Sequence, residues 1–183
     1  DADSKIGKEA FKGIIREEVM SGVAESLIHP QQELMKNIGL KPQAFVRPIN
    51  FFYFSPEGRN RIERAGEGFE IVNTSLHFTV EEMECEIDLY PERFSPNVVM
   101  RPLYEEFLLP NVAYVGGGGE LAYWADRKLL FEHFGVPMPL LVRRDSTMVP
   151  DGGSAKRMYK LGVDVADLFK EPNTLRAEFL ARH

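Results

Sequence analysis

A short apolar run, Asn111–Val115, stops at four consecutive glycines and feeds straight into Glu120-Leu121-Ala122-Tyr123-Trp124. A strand that ends in glycines and opens a helix is the joint at which α/β proteins bring backbone amides up to an anionic ligand. Downstream, the sequence predicts a helix from Gly119 to about Phe134 and a buried strand over Pro139–Val142. Strand, helix, strand with tight joints is a βαβ unit, which needs its two strands parallel. The predicted class is therefore α/β, with a Rossmann-like parallel-sheet core.

The sequence ahead of this unit has a different character. Residues 5 to about 38 read as helix, with Ile6, Ala10, Ile14, Ile15, Val19 and Val23 at roughly helical spacing. His29-Pro30 is expected to kink or restart that helix, and Gly39 to stop it. The stretch from Ala44 to Phe54 reads as β, and Ala65-Gly66-Glu67-Gly68 separates two short alternating runs as in a hairpin. Thr79 with Glu82 is a capping box opening a helix over roughly 80–90. Pro102 suits the first turn of a helix that ends before Pro110. Beyond the second strand, Ala155, Met158 and Tyr159 fall on a further helix, followed by Asp164–Phe169.

Composition narrows the function classes. A net charge of −6 argues against general nucleic-acid binding. The lone cysteine, Cys85, excludes an internal disulfide and a cysteine-based metal cluster, and fits a reducing cytoplasm. The four histidines show no metal spacing, so no metal is implied. No apolar run has the length of a membrane span, and no signal-peptide profile opens the chain. The Asp-Ala-Asp-Ser start reads like residues just after a strand, and Leu175–His183 is helix-like without a stop signal. The expectation is an excised domain.

Gly117-Gly118-Gly119-Glu120-Leu121-Ala122 satisfies the loose dinucleotide pattern G-x-G-x-x-A, with Asp145 as a possible ribose-binding acid beside Arg143-Arg144. No Gly-Lys-Ser/Thr follows the glycines, so there is no P-loop. Two readings stand: a tight packing turn, or a cradle for phosphate or carboxylate. Glu120 is either a helix-starting acid or a carboxylate for a substrate amino group. Arg101, directly before a helix start, either pairs with Glu105 or Glu106 or grips a carboxylate or phosphate bidentately. Ser95 and Asn97 are typical turn residues. Trp124 and Phe131 share one helical stripe, and Ala122 and Leu129 share a stripe roughly opposite. Such a helix belongs between layers, with Trp124 as a packing residue and its second side open to cover by sequence outside this chain.

The run RFSPNVVMRPLYEEFLLPNVAYVGGGGELAYW resembles the bacillithiol-biosynthesis cysteine-adding enzymes, a family named as cysteine ligases. The resemblance rests on Arg93, Phe94, Ser95, Asn97, Val98, Arg101, Pro102, Leu103, Glu106, Leu108, Pro110, Ala113, Gly117, Gly119, Glu120, Tyr123 and Trp124. The downstream FGVPMPLLVRR looks like the family's next strand. The likeness covers nearly all of the chain, with specific motifs only from about 93 to 144.

That resemblance implies a Rossmann-like core with insertions, a helical coiled coil and homodimers. It divides the chain into a helical segment (1–40), an inserted β-hairpin and helix region (41–92), a Rossmann-like half (93–174) and the start of the coiled coil (175–183). The implied reaction joins cysteine to the amine of glucosaminyl-malate, completing bacillithiol, with ATP as the implied source of activation. Asn97, Arg101, Gly117, Gly119, Glu120, Tyr123 and Arg144 carry over as substrate- or nucleotide-binding candidates, while no catalytic base is assigned. Family members are far longer, and their Gly-Gln-Gln and His-Asp-x-x-Glu segments are missing here. Gln31-Gln32, after His29-Pro30, is not the former. The chain therefore resembles a central fragment carrying half a site and inactive alone. Two other readings are a non-catalytic nucleotide- or anion-binding module and a structural or dimerisation piece.

Overall fold

A computed structural model describes residues 3–182 and divides the chain into two compact units, one ending at Arg144 and one beginning at Asp145. The first opens with helices α1 (Lys5–Ser21) and α2 (Val23–Asn37). Ser4 caps α1, accepting from the Gly7 amide. Its buried stripe is Phe11, Ile15 and Val19, whereas Ile6 is 86% exposed, so the predicted helix is present with its apolar face turned. Each of those three buried side chains stabilises the packed helix by roughly 1.5–3 kcal/mol.

The two helices break at Gly22 rather than at Pro30. Gly22 adopts φ 66°, ψ 35°, a left-handed conformation that ends α1, and its amide donates to the Glu18 carbonyl at 2.8 Å. A Cβ there would stand 2.5 Å from the Pro48 carbonyl oxygen, so the turn is built for a residue without a side chain. Pro30 lies inside α2. An interior proline costs about 3 kcal/mol, and burial of Ile28 and Met35 at roughly 1.5–3 kcal/mol each offsets it.

Strands β1 (Phe51–Ser55), β2 (Gly58–Ala65), β3 (Gly68–Ile71), β4 (His77–Phe78) and β5 (Phe94–Pro96) form one sheet in the order β4-β3-β2-β1-β5. Every pairing in it is antiparallel. The predicted hairpin is β2–β3, with Ala65 opposite Gly68. Of the expected 44–54 β-stretch only residues 51–54 are strand, as part of β1. Phe51, Tyr53, Ile62, Phe69 and Ile71 point from this sheet into the core shared with α1. Helix α3 (Val80–Leu89) starts at the predicted box: Glu82 N–H donates to Thr79 Oγ1, and Thr79 N–H to Glu82 Oε2.

Then follow α4 (Arg101–Leu108), β6 (Ala113–Gly116), α5 (Gly118–Ala125), α6 (Lys128–His133) and β7 (Leu140–Arg143). β6 and β7 pair in parallel, Ala113 opposite Leu140 and Gly116 opposite Arg143, as the βαβ reading requires. The parallel part is this one pair, so the sheet structure of the unit is mostly antiparallel. Two expectations are corrected. The single helix from Gly119 is two helices, broken at the buried Asp126-Arg127, and its second side is met within the chain, since α6 packs on α2 and α5 on β7. The strand at 140–143 is not buried: Leu140 is 68% exposed.

The second unit carries α7 (Gly152–Leu161), a 3-10 turn at Val165–Phe169 and α8 (Pro172–Arg182). Asp151 caps α7, accepting from the amides of Gly153 and Ser154. α8 begins before the predicted start at 175, and His183 lies outside the described residues.

Candidate functional site

α4 begins where it does because Asn97 folds over its first turn. The Asn97 Oδ1 accepts from the amides of Val99 (2.8 Å) and Met100 (3.3 Å), and Pro102 needs no amide partner. Asn97 Nδ2 donates to Asn50 Oδ1 at 3.1 Å. Asn50 in turn donates from Nδ2 (2.8 Å) and from its backbone (3.1 Å) to Oε1 of the fully buried Glu18. The family-derived candidate Asn97 is thus engaged inside the protein, holding the turn that presents Arg101.

Arg101 faces the β6–α5 joint. Its Nη1 lies 2.5 Å from Glu105 Oε2, which is the internal pairing considered for it, and Nη2 donates to the Tyr123 hydroxyl at 2.9 Å. One guanidinium therefore bridges α4 and α5. The hydroxyl of Tyr114, on β6, lies near the same guanidinium. Burial works against the Arg101 charge, but the bond to Tyr123, with Tyr114 and Glu105 nearby, leaves its pKa above the ordinary arginine value.

The four glycines divide into two kinds. A Cβ on Gly116 would meet the Tyr114 ring at 2.8 Å and Leu121 at 3.1 Å, so packing requires glycine there. Around Gly118 and Gly119 a Cβ would meet nothing within 4 Å. Close packing of this chain leaves those two unexplained, and they sit in the first turn of α5, whose amides have no intrahelical acceptor. Glu120 Oε2 accepts from the Gly117 amide at 3.0 Å, and Oε1 from the Tyr114 hydroxyl at 3.3 Å. The Gly117 bond, with Tyr114, Arg144 and Arg101 nearby, holds the Glu120 carboxyl below its usual range against desolvation.

Arg144 closes the group. Its backbone amide extends the strand pairing to the Gly116 carbonyl (2.8 Å), and its Nη2 lies 3.3 Å from where a Gly117 Cβ would stand. The result is one cluster at the carboxyl ends of the two parallel strands, where open α/β sheets bind ligands. Arg101, Glu120, Tyr123, Arg144 and Gly117 are brought together, Gly119 borders them, and Asn97 supports from behind. Two arginines and one carboxylate suit a ligand carrying both signs of charge. The turn has no lysine of the P-loop kind, so its residues fit a small acyl or phosphoryl group better than a cradled triphosphate.

Two participants escaped the sequence reading. Tyr114 looks like any strand residue; only its position opposite Trp124, with ring centroids 4.1 Å apart, turns its hydroxyl toward Arg101 and Glu120. Trp124 itself is fully buried, the packing role expected for it, and its Nε1 has no hydrogen-bond partner among the described residues. Arg127 is also fully buried. The signal for it was an adjacent acid and base, Asp126-Arg127, followed by Lys128 and flanked by apolar residues on both sides. Burial pushes Asp126 up and Arg127 down, while their ion pair works against both shifts. No helix among the described residues is long and apolar enough to cross a membrane.

Comparison with known proteins identifies the relatives of the chain. The family described as "Bacillithiol biosynthesis BshC, N-terminal Rossmann-like domain" matches residues 1–145. A protein of Cytophaga hutchinsonii named "Putative cysteine ligase BshC" is 35% identical over 182 residues, 100% of this chain and 35% of that protein. A protein of the same name from Christiangramia forsetii is 43% identical over 142 residues, 77% of this chain and 26% of the relative. One from Flavobacterium johnsoniae is 35% identical over 178 residues, 97% of this chain and 33% of its own length. The chain thus spans about a third of the length of the curated relatives it matches.

Proposed function

The chain belongs to the BshC family of bacillithiol biosynthesis, and from that premise we propose that it forms part of a cysteine ligase. The reaction is the addition of L-cysteine to the amine of glucosaminyl-malate, with formation of an amide bond. The observation that carries this reading is the convergence of Arg101, Tyr123, Glu120 and Arg144 at the carboxyl ends of β6 and β7.

Joining a carboxylate to an amine needs a better leaving group than oxide; ATP bound in the complete protein would supply it, the carboxylate oxygen departing on phosphate or AMP. Arg101, Arg144 and the first-turn amides of α5 stabilise the negative charge of the reacting acyl group. Glu120, held ionised, pairs with an ammonium group and so orients the amino acid. Tyr123 and Glu105 fix Arg101 so that little reorganisation is needed. The chain alone is inactive in this reading, and the complete protein works as a cytoplasmic homodimer with α8 opening a coiled coil.

The test is an assay of the full-length enzyme with cysteine, glucosaminyl-malate and ATP, following bacillithiol together with ADP, AMP and pyrophosphate. Arg101→Ala and Glu120→Gln should each lower kcat/KM by about 10²-fold or more, the scale of a lost charge-stabilising donor. Unchanged rates in both variants refute the site, and ligation by the isolated chain refutes its inactivity.

A second reading has one observation in its favour, the open space before Gly118 and Gly119. It makes the chain a nucleotide- or anion-binding module without catalysis. Titrating ATP, NAD and NADP against the chain and against Gly119→Asp separates the two. Tight dinucleotide binding that ignores cysteine and the sugar acceptor favours the module. The exposed Val115 and Leu140 on one face of β6–β7 support a third, a dimerisation surface. Flat titrations with a dimer in sedimentation would select it.

A further inference from the structure

Arg127 is buried completely, and every nitrogen of its guanidinium is used. Nε donates to the Val99 carbonyl at 2.8 Å, Nη2 to the Val98 carbonyl at 3.3 Å, and Nη1 pairs with Asp126. The guanidinium carbon also lies 5.0 Å from the centre of the Tyr123 ring. Asp126 is itself anchored: its Oδ2 accepts from Gln32 Nε2 at 3.0 Å, and that nitrogen reaches the Ala44 carbonyl at 3.1 Å. A rigid tether thus runs from α2 to Arg127.

What Arg127 holds is the turn at 97–100. Asn97 fixes the amides of that turn, and Arg127 fixes its carbonyls. Arg101 leaves the turn at its next residue and bonds the phenol whose ring Arg127 covers. A buried ion pair adds little stability over well-packed apolar side chains of the same volume, so stability alone does not account for its presence. A planar fork that reaches two successive carbonyls and an aromatic face is something lysine does not provide.

We propose that Arg127 is a positioning residue that fixes Arg101 and Tyr123 relative to each other across the α4–α5 boundary. It rests on the functional reading above, because it gives that site its geometry. It touches no substrate.

The experiment is guanidinium NMR on the chain labelled with 15N-arginine, with Arg101→Lys for assignment. Arg101 held by Glu105 and Tyr123 rotates slowly and shows separate Nη signals. Arg127→Lys keeps a cation beside Asp126 but loses the fork. In the folded variant the separate Arg101 signals are expected to merge, as they should in Tyr123→Phe. Met83→Ala, a core deletion on α3, should lower stability and leave them separate. Signals that stay separate in folded Arg127→Lys overturn the proposal. Should that variant not fold, Asp126→Asn replaces it: broadening or merging supports the role, and an unchanged Arg101 spectrum overturns it. L-Cysteine, titrated into the full-length enzyme, separates this inference from the site reading. A wild-type enzyme whose Arg101 signals ignore cysteine counts against the site alone. A cysteine response with Arg101 indifferent to Arg127→Lys counts against Arg127 alone.

Discussion

Replacing Gly22 by alanine should cost far more than replacing Gly39, although both glycines have positive φ, 66° and 81°. The shared part is backbone strain. An L-residue in the left-handed region costs roughly 1–2 kcal/mol, and the stiffer unfolded chain returns about 0.4–1 kcal/mol of it. Gly39 has nothing within 4 Å of a new Cβ, so Gly39→Ala should lose about 1 kcal/mol and no more. At Gly22 the methyl would stand 2.5 Å from the Pro48 carbonyl oxygen, nearly an ångström inside ordinary contact. That atom is backbone, and Pro48 is two residues from Asn50, whose amide is bonded to Glu18. Relieving the clash therefore pulls on a buried polar network, and overpacking of this kind costs typically 1–3 kcal/mol. Gly22→Ala should thus lose about 2–4 kcal/mol in all. Urea unfolding followed by far-ultraviolet circular dichroism, with equal m-values, measures both variants on one scale. Equal losses, or a larger loss at Gly39, would refute the reasoning that Pro48 sets the break between α1 and α2.

Three further outcomes can be checked on the same scale. Burial raises the Glu18 carboxyl to about 7, against its donors Ala24 and Asn50. The folded state therefore keeps a proton that the unfolded state loses near the ordinary glutamate value of 4.5, and stability falls as pH rises between the two. The loss amounts to about 3 kcal/mol and is complete above pH 7; denaturation at pH 5 and pH 8 should show about 2.5 kcal/mol of it in the wild type minus Glu18→Gln, and a flat difference contradicts it. Trp124→Ala removes the largest wholly buried side chain and should cost about 3–5 kcal/mol, with Trp124→Phe costing less; thermal unfolding of the pair decides. Thr79→Ala opens the capping box of α3 and should cost about 1 kcal/mol, a change that a urea midpoint resolves.

Local chemistry was legible wherever a single residue settles it. Thr79 with Glu82 and Pro102 placed the starts of α3 and α4, and the strand–glycine–helix joint gave the parallel pair. Features decided at long range were not. Pro30 is the stronger breaker on paper, yet Ile28 and Met35 keep α2 whole around it, while Pro48 closes over Gly22 from a distant segment. Asp126-Arg127 splits the expected helix because the pair is satisfied by Gln32, Val98 and Val99, none of them neighbours in sequence. The pairing of β5 with β1, which adds a fifth antiparallel strand to the main sheet, is equally non-local. In the site, Glu120 and Gly117 were readable as a helix start, and Arg101 as a charge before another helix with Glu105 as a candidate partner. Tyr114 was not, because only the fold turns its hydroxyl inward.

Trp124 is the only tryptophan in the chain, and its ring stacks on that of Tyr114. Since the Tyr114 hydroxyl donates to Glu120, one aromatic neighbour separates the chain's sole indole emitter from the charged cluster. The chain thereby carries a native optical gauge beside the proposed ligand site. Occupancy can be followed as a change in emission, without a label, without turnover, and equally well in a variant that has lost its chemistry.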